Sequence, residues 1–131
     1  MRKWLLLTFC VFSFILVAAI PENPPEAAMR TVLRKMELSP AGDIVYEQVK
    51  LPPADDKSWG PYLEMQAENG YNMRPYCGKT VQKLSCPVTV RKNGEMAEVH
   101  LFFAGEKMIG GDVMTTALDG YMQAILPGVG T

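Results

Sequence analysis

The chain has one histidine, His100, and three cysteines, Cys10, Cys77 and Cys86. Those shortages exclude most well-marked chemistries. No HExxH or CxxC spacing occurs, so nothing in the pattern supplies the three or four converging Cys, His or acidic ligands of a zinc site. No GxSxG elbow occurs, and a lone imidazole would have to serve any Ser or Cys nucleophile. A positive excess is missing too. The 13 Lys and Arg residues are scattered among 14 Asp and Glu, and without Arg2 and Lys3 the count is 11 against 14, a balance of −3. A phosphate backbone finds no basic patch here, so nucleic acid is not an expected partner. With 131 residues there is room for one modest core and none for a second domain.

Against these absences stands one long apolar run. Residues 4–20 carry no charge over 17 positions, with Arg2 and Lys3 before them and no polar stripe at helical spacing. Signal-peptide cores run about 7 to 15 residues and spanning helices about 17 to 25, so the run lies between the two classes. Val17-Ala18-Ala19 offers a small-residue cleavage site near Ala19, whereas the length favours a retained anchor. Either way Arg2 and Lys3 hold the N-terminus inside and the remainder is expected outside, single-pass at the cell membrane or secreted after cleavage. Cys10 follows Phe9 in mid-run and reads as an apolar, lipid-facing side chain. The expected organisation is a signal or anchor over 1–20, a proline-rich spacer over 21–25 and a single domain over 26–131.

Within that domain, Met29, Val32, Leu33 and Met36 recur at i, i+3, i+4, i+7, which predicts an amphipathic helix over 26–37 that ends at Ser39-Pro40-Ala41-Gly42. A β-branched and aromatic run over 44–49, stopped by Pro52-Pro53, predicts a strand. Asp55, Asp56 and Ser58 supply capping oxygens for a helix over 58–69, with Trp59, Tyr62, Leu63 and Gln66 on one side. Asn93-Gly94, between two alternating runs, predicts a hairpin with a type I′ turn. A two-residue loop would pair Val90 with Ala97, Val88 with Val99, Cys86 with Leu101 and Leu84 with Phe103, placing eight apolar side chains on one face. His100 would then oppose Pro87 on the wet face. Pro87 cannot donate to a ladder, so the strand over 80–91 is expected at a sheet edge or bulged. A reversal at Gly105-Glu106-Lys107 leads to a strand over 108–113, and Leu118, Tyr121, Met122 and Ile125 give a last helical stripe. The expected fold is α+β, with three helices and a mostly antiparallel sheet of about four strands.

Four blocks in order, Tyr62-Leu63-Glu64-Met65-Gln66, then Gly70-Tyr71-Asn72-Met73-Arg74-Pro75-Tyr76-Cys77-Gly78-Lys79, then Ile109-Gly110-Gly111-Asp112-Val113, then Leu118-Asp119-Gly120-Tyr121-Met122, carry a family resemblance. The chain resembles Domain of Unknown Function four-eight-three-zero, a module of Gram-positive anaerobes, over roughly residues 26–126. Leu63 stands where that family has asparagine, and Asn72 where it usually has aspartate. The resemblance implies an exported, membrane-associated bacterial domain and no particular activity.

Several constellations are weighed on their residues. Gly110-Gly111-Asp112 resembles the active-site turn of diguanylate cyclases, but Val113-Met114 replaces the acid and the aromatic and export removes the chain from GTP. A bulge or close backbone approach explains the two glycines. Asp112 alone falls short of the oxygens a calcium ion takes. His100, beside Glu98 and Phe102, reads as a surface imidazole. Cys77 and Cys86 are expected to stay reduced, since the extended stretch from Thr80 to Cys86 alone covers about 20 Å against a bridging Cα separation below about 7 Å. Tyr71, Arg74, Tyr76 and Lys79, around Pro75 and Gly78, form a polar-aromatic loop that, with Gly110, Gly111 and Asp112, is the candidate ligand or partner surface. The nine methionines, spread singly, read as core filling rather than copper ligands.

No cofactor and no metal are expected, and the expected partners are the membrane through residues 4–20 and a protein or small ligand. The functional expectation is a non-enzymatic binding or regulatory module at a bacterial membrane surface. Its alternatives are a small envelope hydrolase using Asp112 with His100 or Cys77, and a membrane-tethered structural adaptor.

Overall fold

The computed structural model describes residues 23–116 and 122–125. In chain order these form α1 (Pro24–Lys35), β1 (Leu38–Pro40), β2 (Val45–Lys50), α2 (Gly60–Glu68), a 3-10 turn (Arg74–Tyr76), β3 (Thr80–Val90), β4 (Met96–Ala104), β5 (Lys107–Thr115) and β6 (Met122–Ala124). The strands make one antiparallel sheet in the order β1-β3-β4-β5-β6, with β2 also paired to β3. This corrects the expected α+β fold of three helices and about four strands: the described residues are mostly β, with two α-helices and six strands. Among the described residues no helix is long and apolar enough to cross a membrane, and the run over 4–20 lies outside them.

Local chemistry explains where the elements fall. Pro24 and Pro25 open α1, where a fixed φ suits the helix and the first N–H groups have no intrahelical acceptor to lose. Met29, Val32 and Leu33 are buried as their spacing predicts, but the helix stops at Lys35. Glu37 then takes a left-handed φ of 55° that reverses the chain, so Leu38–Pro40 pairs with β3 instead of continuing a loop. The predicted C-terminal helix is the second correction. Met122–Ala124 lies along β5 as a strand, with Met114 opposite Met122 and Asp112 opposite Ala124. In a strand Met122 and Ile125 lie on opposite faces, so a three-residue apolar spacing served the sheet as well as it would a helix. Residues 117–121, the rest of that stripe, lie outside the described residues.

Pro87 does not mark an edge. β3 is flanked on both sides, by β4 along its length and by β1 and β2 in succession on the other. β2 covers residues 80–85 of β3 and β1 covers 88–90, so the neighbouring strand is interrupted beside Pro87. A missing N–H is tolerated there because the ladder has a gap; the Pro87 carbonyl still accepts from Ala41 N at 2.8 Å.

The β3–β4 hairpin keeps the predicted face but not the predicted pairing. Val88 lies opposite Ala97, Cys86 opposite Val99 and Leu84 opposite Leu101, a slip of two residues from the register expected of a two-residue loop. Type I′ needs positive φ at both central residues, and only Gly94 has it, at 73°. Asn93 instead accepts the Glu95 N–H on its side chain at 2.9 Å, and the loop widens until Val90 N donates to Glu95 O at 2.8 Å. Because the slip is even, every side chain stays on its face.

Each face has its own helix. α1 packs Met29, Val32 and Leu33 on Leu84, Cys86, Val88, Ala97, Val99, Leu101 and Phe103. α2 brings Leu63 to the other face, where Leu51, Met73, Val81, Phe102 and Ile109 form a second cluster. The nine residues of α2 are too short to cover that face, and Val45, Met96, Met114 and Met122 stand exposed on its open part.

Candidate functional site

The covered and open halves of the α2 face meet at a chain of polar groups, and a β-bulge places them. β4 and β5 leave their turn with Ala104 opposite Lys107 and Phe103 opposite Met108, but the next pair is Phe102 with Gly110. Ile109 is the extra residue. Without it His100 would oppose Gly111 and the Asp112 side chain would turn toward α1; with it, His100 opposes Asp112 on the α2 face.

Asp112 is 3% exposed and uses both carboxylate oxygens. Tyr62 of α2 donates its O–H to Oδ2 at 2.7 Å, and Oδ1 lies 2.9 Å from His100 Nδ1. The other imidazole nitrogen, Nε2, lies 2.8 Å from Glu98 Oε1. A neutral imidazole has one N–H and could satisfy only one of two carboxylates, so this geometry calls for the imidazolium, donating at both ends. Its pKa moves accordingly. The Asp112 hydrogen bond foremost, with the charges of Asp112 and the Glu98 contact, raises it above the ordinary imidazole value, against opposing desolvation and Lys83. Burial, then the adjacent Asp112 carboxylate, hold the Tyr62 hydroxyl far above its usual range, so it remains a donor. The relay has an inner and an outer end, since Asp112 is 4% exposed at its side chain, His100 12% and Glu98 43%.

Next along β5, Gln66 of α2 fills in for a missing strand. Its side-chain amide donates to Gly111 O at 2.7 Å and accepts from Gly111 N at 3.1 Å, just past the point where β6 stops pairing at Asp112. A buried edge position is thereby paired in both directions. The two glycines admit this packing. A Cβ at Gly110 would lie 2.5 Å from Met73 Sδ, and one at Gly111 would lie 2.5 Å from the His100 carbonyl oxygen.

The sequence-predicted site residues therefore separate into two places. Asp112 joins His100, which sequence reading had put at the surface opposite Pro87; Ser85 is its true partner on β3. Tyr71 and Tyr76 line a cleft of about 240 Å³ with Gly70, Asn72, Pro75, Lys107, Met108 and Ile109. That volume lies below the usual range for small-molecule sites. Arg74 and Lys79 are exposed nearby on the same loop, whereas Gly110 faces α2 and Gly111 bonds Gln66 through its backbone with its open side on Leu101 and Ile125 of the α1 cluster. Cys77 and Cys86 are free thiols on opposite faces, Cys86 with the α1 cluster and Cys77 with the α2 cluster. The Cys77 thiol contacts the Met73 carbonyl at 3.7 Å, and no bond joins it to His100. Sequence reading missed Glu98, Tyr62 and Gln66 as members of one network. The only signal for it was Glu98-x-His100, two polar side chains on one face of a strand.

No family model, no curated protein and no solved structure matches the chain.

Proposed function

We propose that the chain is a non-enzymatic binding or regulatory module, held at the outer surface of a bacterial membrane through residues 4–20, with the open half of the α2 face as its binding surface. The observation that carries this reading is the double engagement of His100. With a carboxylate on each nitrogen, the imidazolium has no lone pair to take a proton, and Tyr62 and Cys77 are not bonded to it as nucleophiles. The neighbouring surface has the character of a docking face. Met96, Met114 and Met122 are 49%, 37% and 40% exposed, and unbranched thioethers adapt to varied partners. A photo-crosslinking residue at Met114, with one at Lys92 as control, tests the reading in intact cells alongside protease access to the domain. A discrete adduct from Met114 alone, on a protease-accessible membrane protein, is the expected result. Equal labelling from both positions, or no adduct at all, would refute it.

The 2.9 Å approach of Asp112 to His100 favours one other reading, the envelope hydrolase, in which Glu98 leaves Nε2, the Nε2 proton goes to solvent, and the freed lone pair takes a proton from an attacking water. An ester- or amide-cleaving activity abolished by His100→Gln would put that reading first.

A further inference from the structure

We infer that the chain pairs with a second copy of itself through the open edge of β2, making one antiparallel sheet across a two-fold axis at Gln48. β2 has six residues, and among the described residues no strand lies beyond it. Leu51 N donates to Lys79 O and Gly78 N donates to Leu51 O, so the Leu51 backbone groups turn toward the β3 side. Backbone direction alternates along an antiparallel strand. Val45, Glu47 and Val49 therefore bond β3, while Tyr46, Gln48 and Lys50 aim their N–H and C=O groups outward. The other edges of the sheet are blunted. β1 has three residues and ends in Pro40, and β6 has three. Beyond β6, β5 is buried from Met108 to Gly111, where the Gln66 side chain takes the Gly111 backbone. Sheets protect themselves by such means because an open edge recruits another strand. β2 has no proline and no bulge against β3, and it carries Val45 and Tyr46 at 57% and 41% exposed.

A second copy fits this edge residue by residue. With the axis at Gln48, that residue opposes its own counterpart and Tyr46 opposes the second copy's Lys50 in both directions, so every outward backbone group of both strands is used. The two Gln48 amides at the axis each donate and accept. Each Lys50 ammonium comes beside a Tyr46 ring whose hydroxyl is bonded to Glu26, so the cation meets an aromatic face and a carboxylate on one side of the sheet. Glu47 opposes the second copy's Val49, and its own Lys83 stands opposite it on β3. Moving the axis by one residue is worse either way. At Glu47 it sets two carboxylates against each other, and at Val49 it brings Pro52, which has no N–H, opposite Tyr46. The axis stands normal to the sheet, so both open α2 faces look the same way and a partner of that face meets two of them. The pairing itself holds whether or not that face binds anything.

The test uses the full chain in detergent with Cys10→Ser and Cys77→Ser, and single cysteines placed on the edge. Directly opposite residues of a hydrogen-bonded pair stand about 5.5 Å apart at Cα, within disulfide reach, whereas Tyr46 lies about 13 Å along the strand from its own counterpart. Mild oxidation should therefore link Gln48→Cys to itself, and should link Tyr46→Cys to Lys50→Cys only when the two variants are mixed. Lys92→Cys, on the exposed β3–β4 turn, measures random collision. Sedimentation with the detergent density-matched should give a dimer for the natural chain and a monomer for Gln48→Pro, which removes an outward N–H and spares the β2–β3 ladder. Gln48→Lys keeps the test sound if proline unsettles β2. It sets two like charges against each other at the axis, and should lose the dimer with an unchanged circular dichroism spectrum. A monomeric natural chain, Gln48→Cys linking no faster than Lys92→Cys, or Tyr46→Cys linking readily to itself overturns the pairing.

Discussion

Tyr62 donates its hydroxyl hydrogen to Asp112 Oδ2 at 2.7 Å across 50 positions of chain, and this bond ties α2 to β5. The tie is strong because the acceptor is a buried carboxylate whose other oxygen lies 2.9 Å from His100 Nδ1. Tyr62→Phe keeps the stack on Trp59, at 4.5 Å between ring centroids, and the edge contact with Phe102 while removing the donor. Hydrogen bonds to charged groups are worth about 1.5 to 3 kcal/mol, so a loss near 2 kcal/mol is expected in urea unfolding. Asp112→Ala should be worse, at about 3 to 5 kcal/mol, since it leaves both the Tyr62 hydroxyl and the partly buried His100 ring without their shared acceptor. Glu98→Gln should lose about 1 kcal/mol or less, because Glu98 is 43% exposed. A reversed order, with Glu98 the costliest, would mean that the relay is organised from its outer end.

His100 gives a pH dependence with a definite sign. Its folded-state pKa is raised, with the Asp112 hydrogen bond as the largest cause, so the folded state holds the proton more tightly than the unfolded chain. That stabilisation is complete below the unfolded imidazole value of about 6.5 and disappears as pH rises through the folded value. The stability advantage of the natural chain over His100→Asn should shrink from about pH 6 toward alkaline pH. The only histidine also gives one set of ring signals in NMR, and their midpoint should lie above 6.5. A midpoint at or below that value would show that the two carboxylates do not hold the proton.

Gly110 and Gly111 test whether the Gly-Gly-Asp stretch is there for packing. A methyl at Gly110 meets Met73 Sδ and Gln66 Oε1, both ends of side chains with some freedom to move. A methyl at Gly111 meets the His100 carbonyl of the paired strand, which has none. Gly111→Ala should therefore cost more than Gly110→Ala, with overpacking worth about 1 to 3 kcal/mol and the upper end at Gly111. Equal stability of both variants and the natural chain would require another account of the two glycines.

How much of this was legible from residues alone differs from place to place. The α1 stripe follows from the spacing of its buried face, β2 from its β-branched and aromatic run before Pro52-Pro53, and α2 and the two reversals from capping and turn residues. The β3–β4 register was readable to its face, since alternation sets parity, but not to its residue, since loop width depended on whether Asn93 would take positive φ. Gly110-Gly111 announced a bulge or close approach at this end of β5 but not which residue is extra: Met108 and Ile109 are both apolar, and the two faces have separate apolar clusters to receive them. That one unmarked residue decides which side Asp112 takes, and with it the Glu98, His100, Asp112 and Tyr62 network. Met96, Met114 and Met122 resist sequence reading for a different reason. Their alternation fits a buried strand face, and only the shortness of α2 leaves them uncovered.

The sheet between Cys77 and Cys86 predicts unequal thiol reactivity. Cys86 is 1% exposed within the α1 cluster, and burial first, then the charges of Asp43 and Glu98, push its pKa up. The thiolate is the reactive form, so both access and ionisation protect it. Cys77 is half-buried beside the 3-10 turn, where reagent reaches it by local motion. In a Cys10→Ser chain, a thiol-specific reagent should titrate one group quickly under native conditions and the second only in denaturant. Mass spectrometry should place the fast label on Cys77. Rapid labelling of both would show that α1 leaves the sheet readily, and labelling of Cys86 first would invert the assignment of the two faces.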